Sequence, residues 1–365
     1  MEAVYTSHFS RFPDDVEIIS TEYELCLAEQ RVAILDIATH KCNVVNRELL
    51  PVALYKVDSN VLYSALCDWL IRRALPISRA NYEAIIKSAG LSSNSDIITV
   101  ITKFNALSLV DNYWLRPLNS VKRYADVNLY QNHFADLLPV SLLGEKPITI
   151  TGTTPDINQR GCMSKCYSRE DDQLYIYKYS KYSEKIYAEV FASKIAQMCR
   201  FNTVAYTTAT KKDKLCSRCL VGTSVDTSWV TASEISLAGI NPKELALRLS
   251  PQEFYQMLFF DYVTGNIDRH NENWSFTMNN SGVFLSLTPL YDFDNCFIAD
   301  DEDFSKITLR PMIRDAKIAL QNLSDSDTLL DSLDNFLQSV VLSGEDCYKP
   351  FAMYSLQRIQ KLINQ

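Results

Sequence analysis

One helical segment of this chain is apolar on almost every side, and a run of polar residues follows it at once. Ser250–Glu253 predicts the start of this helix, because serine can cap a helix, proline fits its first position and glutamate can complete a capping box. The helix continues through Met257–Phe260 and ends at Gly265. A helix that is apolar all round belongs at the centre of a fold. The polar run Asn266–Trp274 therefore follows directly from the predicted core.

The composition narrows the class of protein before any motif is considered. The 365 residues carry 36 Lys and Arg against 44 Asp and Glu, a net charge of −8, and the basic runs Arg72–Arg73 and Lys211–Lys214 are short. Phosphate contacts dominate nucleic-acid affinity, so this charge balance argues against a nucleic-acid binder. Only nine glycines are present, which excludes collagen-like and Gly/Ser-linker architectures.

The sequence also bears on where the protein works. It contains no run of about 18 apolar residues, and its first residues lack the basic and apolar regions of a signal peptide. Ten cysteines in a chain without an export signal are typical of reduced thiols. We therefore expect a cytoplasmic protein with no membrane contact. Secretion as an effector without a cleaved signal peptide is the alternative.

The pattern of the sequence changes near residue 146 and again near residue 223. Residues 1–145 form a predicted accessory region of unknown role. Residues 146–222 follow the order strand, loop, strand, helix, strands, which is typical of a small mixed lobe. Residues 223–365 are mostly helical and end in three predicted helices. The sequence therefore predicts an α+β protein of three parts.

Several elements of these regions are predicted from hydrophobic periodicity. The clearest is a helix over 61–75, which Pro76 ends. A second helix is expected from Ser78, as N-cap, to Ala89, and two successive short helices leave a DNA-reading helix-turn-helix as an alternative to plain packing. The other predicted elements are the strands Glu17–Ile19, Val32–Asp36, Asn43–Val45, Ile148–Ile150 and Leu174–Tyr179, and the helix Ser183–Cys199.

The polar run carries the groups that phosphoryl transfer needs. Asp268 and Asn273 are five positions apart, and a predicted hairpin delivers Asp292 nineteen positions after Asn273. One carboxylate can orient or deprotonate the attacking hydroxyl, while an amide oxygen and a second carboxylate can hold Mg²⁺ against the phosphates. Protein kinases use the same Asp–Asn spacing before a metal-binding aspartate. The alternative is a polar loop that caps a hairpin, since Asp, Asn, Arg and His all favour turns.

The segment Asn266–Asn273, together with Pro289–Asp292, resembles the HipA family of bacterial serine/threonine kinases. Its Asp-Arg-His-Asn-x-Asn core is also similar to the catalytic loop of phosphatidylinositol 3/4-kinases. The resemblance covers about residues 146–365, with specific motifs only in 261–296, and the first 140 residues do not resemble the usual HipA N-terminal subdomain. It implies a two-lobed protein-kinase-like fold, with a small β-rich N-lobe and a helical C-lobe, preceded by a mostly helical N-terminal domain.

The resemblance also implies an activity. An enzyme of this family transfers the γ-phosphoryl group of ATP, with Mg²⁺, to a serine or threonine of a protein substrate. We expect Asp268 to accept or orient the hydroxyl proton, and Asn273 and Asp292 to bind Mg²⁺. An antitoxin-like or other regulatory partner is implied as well.

Three further residues near this loop receive expected roles. Arg269 and His270 are candidate catalytic residues by their place in the motif. Arg269 is expected to pair with a carboxylate or a backbone group, and His270 either assists the chemistry or packs the loop. Asp261 lies one helical turn before Gly265, where a buried carboxylate needs donors, so we expect it to brace the catalytic loop.

A kinase also needs a lysine that contacts the nucleotide phosphates and a glutamate that holds the lysine. Lys178 lies in the predicted strand Leu174–Tyr179 and is the candidate for the lysine. Glu189, on the following helix, is the candidate for the glutamate, with Glu184 as the rival. The alternatives are an exposed strand lysine and a solvated helix charge.

The phosphate loop is expected before Lys178. Gly161, Ser164 and Lys165 resemble the loop of HipA-like kinases, because glycine allows close backbone approach and main-chain N–H groups bind anions. Arg160 occupies the position where such loops often carry an autophosphorylated serine, which is a departure from the pattern. The hinge between the lobes is expected near Cys219–Val225.

Three alternatives to a protein kinase remain open in the sequence. Cys162, Cys166, Cys216 and Cys219 could form a four-thiolate zinc site, although the first pair has an unusual spacing. The same fold could phosphorylate a lipid or a small molecule, against which the acidic net charge argues. A degenerate kinase that acts as a binding module is the third alternative.

Overall fold

The computed structural model describes most of the chain. The described residues are 21–92, 95, 97–298, 313–343 and 346–364. The strand predicted at Glu17–Ile19 lies outside them. None of the described helices is both long and apolar enough to cross a membrane.

A four-stranded antiparallel sheet and short helices make up the N-terminal region. The strands lie side by side in the order β3–β2–β1–β4, so the last strand of the region returns to pair with the first. The strands predicted within 32–36 and 43–45 are confirmed as parts of β2 and β3. The elements are β1 (Glu22–Leu27), β2 (Gln30–Asp36), β3 (Lys41–Val44), α1 (Leu62–Arg73), α2 (Tyr82–Ser88), α3 (Ile97–Lys103), β4 (Tyr113–Pro117) and α4 (Tyr124–Val127).

The two helices predicted in this region differ in outcome. Helix α1 buries its expected face, since Leu62, Leu66 and Trp69 are all inaccessible to solvent. The expected start of the second helix at Ser78 is wrong, because α2 begins only at Tyr82. The Ser78 hydroxyl instead lies 3.1 Å from Cys162 Sγ. Helices α2 and α3 contribute to one apolar cluster with Leu137, Val140 and Ile157, which accounts for them as packing elements.

A second antiparallel sheet, in the order β5–β6–β8–β7, forms the N-lobe with α5 packed against it. The predicted strand at 174–179 and the predicted helix from Ser183 are confirmed. Ile148–Ile150 is not a strand, because the N–H groups of its two isoleucines donate to Ser88 at the end of α2 and not to a sheet. The elements are β5 (Ser164–Glu170), β6 (Gln173–Tyr179), α5 (Ser183–Met198), β7 (Thr207–Lys211) and β8 (Lys214–Leu220).

The C-lobe is built around one buried helix and carries a three-stranded sheet in the order β11–β10–β9. The last described segments, 313–343 and 346–364, contain three helices, as predicted. Its elements are β9 (Thr227–Thr231), α6 (Ala232–Leu237), α7 (Pro242–Leu249), α8 (Pro251–Thr264), β10 (Ser275–Asn279), β11 (Phe284–Leu287), α9 (Ile313–Asn322), α10 (Ser326–Ser343) and α11 (Lys349–Asn364).

Helix α8 is the central helix expected from the sequence, and both of its ends are fixed by tertiary contacts. It begins at Pro251, but Ser250 does not cap it, because the serine hydroxyl accepts a hydrogen bond from the N–H of Leu287 at 3.0 Å. It ends at Gly265, where φ is +61°. A Cβ atom on Gly265 would lie 2.1 Å from the Tyr354 hydroxyl, so only glycine fits this turn into the polar run.

One continuous apolar core joins the three regions. Leu25 of β1, Phe191 of α5, Phe260 of α8 and Leu333 of α10 belong to the same buried cluster. The mixed α+β class predicted from the sequence is therefore confirmed. The boundaries at residues 145 and 222 stay a prediction, and buried contacts cross both of them.

Candidate active site

Lys178 sits at the centre of a buried ion-pair network between the lobes. Its Nζ donates to Glu189 Oε1 at 2.5 Å and to Asp292 Oδ1 at 2.6 Å. Burial disfavours the charged lysine, but the carboxylates of Asp292 and Glu189 outweigh it and hold the pKa of Lys178 well above its ordinary value. The side chain therefore stays a cation between the two lobes, where the fold leads us to expect the cleft of a kinase.

The position of Glu189 is fixed from two elements. Its second carboxylate oxygen accepts a hydrogen bond from the hydroxyl of Ser217, which stands directly opposite Lys178 on β8. Glu189 is fully buried, whereas the rival Glu184 is exposed in the first turn of α5. Of the two glutamates, only Glu189 meets the lysine.

Asp292 is the C-lobe carboxylate of the network, and it faces the cleft. Its backbone adopts a left-handed conformation, with φ of +62°, which aspartate tolerates better than most residues. Burial alone would raise its pKa, but Lys178 and Lys165 lower the pKa of Asp292 to about 2. The carboxyl group is thus ionised, and its side chain remains 33% exposed toward the cleft.

The loop predicted to be catalytic holds the Asp268 carboxylate between two amides. Oδ2 of Asp268 accepts hydrogen bonds from the side-chain amide of Asn273 at 3.2 Å and from that of Asn295 at 3.0 Å. The Asn273 amide also donates to the main-chain carbonyl of Asp268 at 2.9 Å. These bonds use the nitrogen of Asn273, so its amide oxygen is directed away from Asp268. The loop therefore presents one carboxylate and one amide oxygen.

Arg269 lies beneath this loop and does not face the cleft. Its guanidinium donates to Asp261 at 3.1 Å and to the carbonyls of Asn273 and Tyr291, so its donors are used by the protein interior. The pairing expected for Arg269 and the brace expected of Asp261 are present. The candidate role of Arg269 as a catalytic residue is corrected to a positioning role, since it connects the loop to the segment of Asp292.

His270 lies at the surface of the loop. Its Nδ1 accepts a hydrogen bond from the N–H of Glu272 at 3.2 Å, which directs Nε2 toward Asp268. The distance from Nε2 to Asp268 Oδ1 is 3.5 Å, and the imidazole is 41% exposed. His270 is thus beside the carboxylate and open to a ligand, in contrast to Arg269.

The predicted phosphate-loop residues separate into two groups. Lys165 stands opposite Lys178 across β5 and β6, so both lysines share the face that holds Asp292. Gly161, with φ of +93°, lies under the end of the Lys165 side chain. The Ser164 hydroxyl is not brought to this site, because neighbouring strand residues point to opposite faces. Burial and the adjacent Arg79 lower the pKa of Lys165 to about 7.

The expected hinge, Cys219–Val225, covers the end of β8 and most of the segment 221–226 before β9. Gly222 lies against the ring of Trp229, where a Cβ atom would come within 2.1 Å of the indole. The Trp229 ring in turn stacks on Tyr291, next to Asp292, with centroids 5.1 Å apart. Any larger residue at 222 would displace this stack.

Three residues of the site were missed by the sequence analysis. Asn295 and Ser217 each make one hydrogen bond that orients a site carboxylate. Arg79, from the N-terminal region, bonds to the phosphate loop. Each is a single polar residue outside the recognised motifs, so no local pattern marks it.

The zinc alternative is not supported within the described part of the chain. Cys216 packs with Cys166 in one apolar cluster, whereas Cys219 belongs to another. Residues three positions apart on a strand point to opposite faces, so Cys216 and Cys219 of β8 cannot share an ion. Among the residues that the structure describes, no three His, Cys, Asp or Glu side chains are grouped for metal binding.

Comparison with solved structures decides the fold. HipA from the Shewanella oneidensis MR-1 toxin–antitoxin complex of HipA, HipB and operator DNA aligns with 94% of this chain and 97% of its own. The TM-score is 0.57 at 14% sequence identity. This chain has a HipA-like fold. The structural likeness extends into the N-terminal region, beyond residues 146–365 in which the sequence itself resembles the family.

Two comparisons concern a kinase of Helicobacter pylori. The serine/threonine-protein kinase CtkA of strain J99 is 27% identical over 93 residues, which are 26% of this chain and 25% of that protein. The match thus spans about a quarter of the length of this curated relative. The crystal structure of the H. pylori proinflammatory kinase CtkA aligns with 55% of this chain and 90% of its own, with a TM-score of 0.40 and 17% identity. No family model matches the chain.

Proposed function

We propose that this protein transfers the γ-phosphoryl group of ATP to a serine or threonine hydroxyl of a protein, with Mg²⁺. The observation that carries the proposal is the 2.6 Å contact between Lys178 Nζ and Asp292 Oδ1. This contact joins the sheet of one lobe to the carboxylate of the other, next to the loop of Asp268. Phosphoryl transfer by a kinase requires these three groups around one phosphate chain.

Two lysines would bind the nucleotide phosphates. Lys178 is a permanent cation held by Glu189, and Lys165 stands beside it on the facing strand. Lys178, joined by Lys165 when that side chain is protonated, would attract a polyphosphate, and the low-dielectric surroundings would strengthen the attraction. In this role Lys178 would exchange its contact with Asp292 for a phosphate oxygen.

The residues of the site fit a magnesium ion that is shared with phosphates. The Asn273 amide oxygen and the Asp292 carboxylate are hard oxygen donors, which Mg²⁺ prefers. In nucleotide sites Mg²⁺ is usually held by one or two side chains, phosphate oxygens and water, so these two ligands suffice. The ion would neutralise the negative charge that the phosphates carry during transfer.

Asp268 would receive the proton of the acceptor hydroxyl. The amides of Asn273 and Asn295 hold Oδ2, so Oδ1 is the oxygen that would accept the hydroxyl hydrogen. The hydroxyl oxygen then forms its bond to the γ-phosphorus as the bond to the bridging oxygen of ADP breaks. His270, 3.5 Å from Oδ1, would stabilise the orientation of the carboxylate through its Nε2.

The likeness to a serine/threonine kinase over 93 residues supports a protein hydroxyl as acceptor. The test is transfer of labelled γ-phosphate to proteins of a cell lysate, with an extracted lipid fraction as a second acceptor. We expect labelled protein with the wild type and none with Asp268→Ala. Asp213→Asn, in an exposed turn between β7 and β8, is the matched control and should label as the wild type does. Equal labelling by the wild type and Asp268→Ala, or label confined to lipid, would overturn the proposal.

A regulatory protein partner is a further part of the proposal. The HipA of the structural comparison was crystallised with HipB, its toxin–antitoxin counterpart. We expect a partner of this chain to change the rate of ATP turnover when it is added in equimolar amount. A partner that binds stoichiometrically and leaves turnover unchanged would contradict a regulatory role.

A further inference from the structure

Arg79 is a buried cation in the N-terminal region, placed between the end of α1 and the start of α2. Its side chain is 3% exposed. Burial lowers the pKa of the guanidinium, and the buried carboxyl of Asp156 opposes that effect. A cation with so little access to water needs acceptors in fixed positions.

Those acceptors belong to the phosphate loop. Nη1 of Arg79 donates to the carbonyl of Gly161 at 3.0 Å. Nη2 donates to the Gln159 side chain at 2.5 Å and to the carbonyl of Lys165 at 2.7 Å. One guanidinium thus connects the entry of the loop, its glycine and its exit into β5. The planar fork of arginine reaches acceptors in several directions at once, which the single nitrogen of lysine does not reproduce.

Two neighbouring contacts strengthen this connection. The N–H of Ala80 donates to the carbonyl of Cys162 at 3.0 Å, and the hydroxyl of Ser141 donates to the carbonyl of Lys165 at 2.8 Å. Both donors belong to the N-terminal region. Residues of the N-terminal region therefore bond to three carbonyls of the loop, those of Gly161, Cys162 and Lys165.

The segment of Arg79 is itself held by packed elements. The N–H of Leu75 donates to the carbonyl of Ile157 at 2.8 Å, and Ile85 and Ile86 of α2 pack in the same cluster as Ile157. The segment that carries the guanidinium is thus anchored in the apolar cluster of α2 and Ile157, while the guanidinium itself bonds to the loop. Such an arrangement transmits the position of one element to the other.

We propose that Arg79 is a positioning residue for nucleotide binding, which makes the N-terminal region part of the ATP site. The inference rests on the proposed function for its nucleotide, but the loop contacts exist without one. By fixing the carbonyls of Gly161 and Lys165, Arg79 directs the main-chain N–H groups of the loop and the Lys165 side chain toward the phosphates. The loop contains few glycines, so the support from Arg79 replaces the close backbone contacts that a glycine-rich loop would make with the phosphates.

The experiment compares Arg79→Lys with a matched variant, Arg73→Lys. Arg73 is also 3% exposed, and it bonds to Asp111 and to the Tyr113 carbonyl, all within the N-terminal region. Both variants exchange a buried guanidinium for an ammonium group. Hydrogen exchange of the amides of 160–165 is measured without nucleotide, and equilibrium binding of Mg²⁺ with a non-hydrolysable ATP analogue is measured beside KM and kcat.

For Arg79→Lys we expect faster exchange in 160–165 and about tenfold weaker nucleotide binding, as for the loss of a charged hydrogen bond. KM for ATP should rise by the same factor, with kcat little changed. Arg73→Lys should lower the melting temperature without either effect. The inference is overturned if loop exchange and nucleotide affinity change equally in the two variants.

Ser141→Ala keeps the test decisive if Arg79→Lys does not fold. It removes one hydroxyl and one bond to the Lys165 carbonyl, and we expect a change in the same direction but smaller. Unchanged loop exchange and unchanged affinity in Ser141→Ala would then reject the inference. A wild type that binds no nucleotide rejects the proposed function instead, while the exchange measurement still reports on the loop.

Discussion

Two buried networks of cations and carboxylates lie close together, one facing the cleft and one beneath the Asp268 loop, and they are used differently. Lys178 bridges Glu189 and Asp292, and Asp292 keeps a third of its side chain exposed to the cleft. Arg269 pairs with Asp261 and with two carbonyls, and each of the two side chains is only 7% exposed. The first network can exchange a partner for a ligand, whereas the second cannot. The exposure of the Asp292 carboxylate therefore distinguishes a network that can bind a ligand from one that only supports the loop.

The largest expected effect concerns the brace. Arg269→Met should lower the free energy of unfolding by about 3–5 kcal/mol, because it leaves Asp261 buried without its cation. Urea denaturation measures the loss. The double variant Arg269→Met/Asp261→Leu should recover part of it, since removal of both charges leaves no unpaired ion. A single variant as stable as the wild type would show that the pair is not a brace.

The network that opens to the cleft at Asp292 should respond in activity as well as in stability, because removal of Lys178 also leaves Glu189 buried without its cation. Lys178→Met should lower kcat/KM for phosphotransfer by about 10²–10³, as for the loss of one electrostatic contact to the reacting phosphates. Initial rates at several ATP concentrations measure the change. Lys211→Met is the control, because Lys211 pairs with Glu170 on another part of the sheet. Equal losses in both variants would remove the distinction between the two networks.

Asn295 tests whether the loop carboxylate depends on a neighbour that no motif includes. Asn295→Ala should lower kcat by about tenfold, the effect of one hydrogen bond to a charged group, with KM for ATP unchanged. Steady-state kinetics measure both constants. Asn322→Ala, an exposed amide at the end of α9, provides the comparison. A rise in KM without a change in kcat would place Asn295 on the nucleotide side of the site.

The smallest expected effect is a pH dependence of nucleotide affinity, which distinguishes Lys165 from Lys178. Lys178 remains charged, whereas Lys165 has a pKa lowered to about 7 by burial and by Arg79. Protonated Lys165 attracts phosphate, so nucleotide affinity should fall roughly fivefold as pH rises through 7. Lys165→Arg stays charged and should flatten this profile. The same lowered pKa predicts higher fold stability as pH rises from about 7 to 10, because only the unfolded chain then binds the proton.

The catalytic loop could be predicted because its groups are close in sequence. Asp268 and Asn273 lie on one loop after an apolar helix, and short-range spacing fixes their relation. Lys178 and Glu189 also occupy consecutive elements whose periods are clear. A local sequence pattern is sufficient to predict a pair of site residues when both lie on one loop or on consecutive elements.

Other parts depend on contacts that sequence patterns do not record. Strand β1 is buried on both faces from Tyr23 to Leu27, so it lacks the alternation that reveals a strand. Arg79 meets Lys165 across 86 positions. Ser250 does not cap α8 as expected, because its hydroxyl accepts a hydrogen bond from the distant N–H of Leu287. In each case the deciding partner comes from another region.

The continuous core limits how this fold can be recombined. Trp69 of α1 donates to Glu234 of α6, and Asn112 bonds to the N-terminal end of β9 through Ser228. Swapping residues 21–145 for the equivalent region of a distant relative would separate these pairs and the support beneath the phosphate loop together. Residues 21–145 and the two lobes must therefore be exchanged together, and a substitution at one side of these contacts requires a compensating substitution at the other.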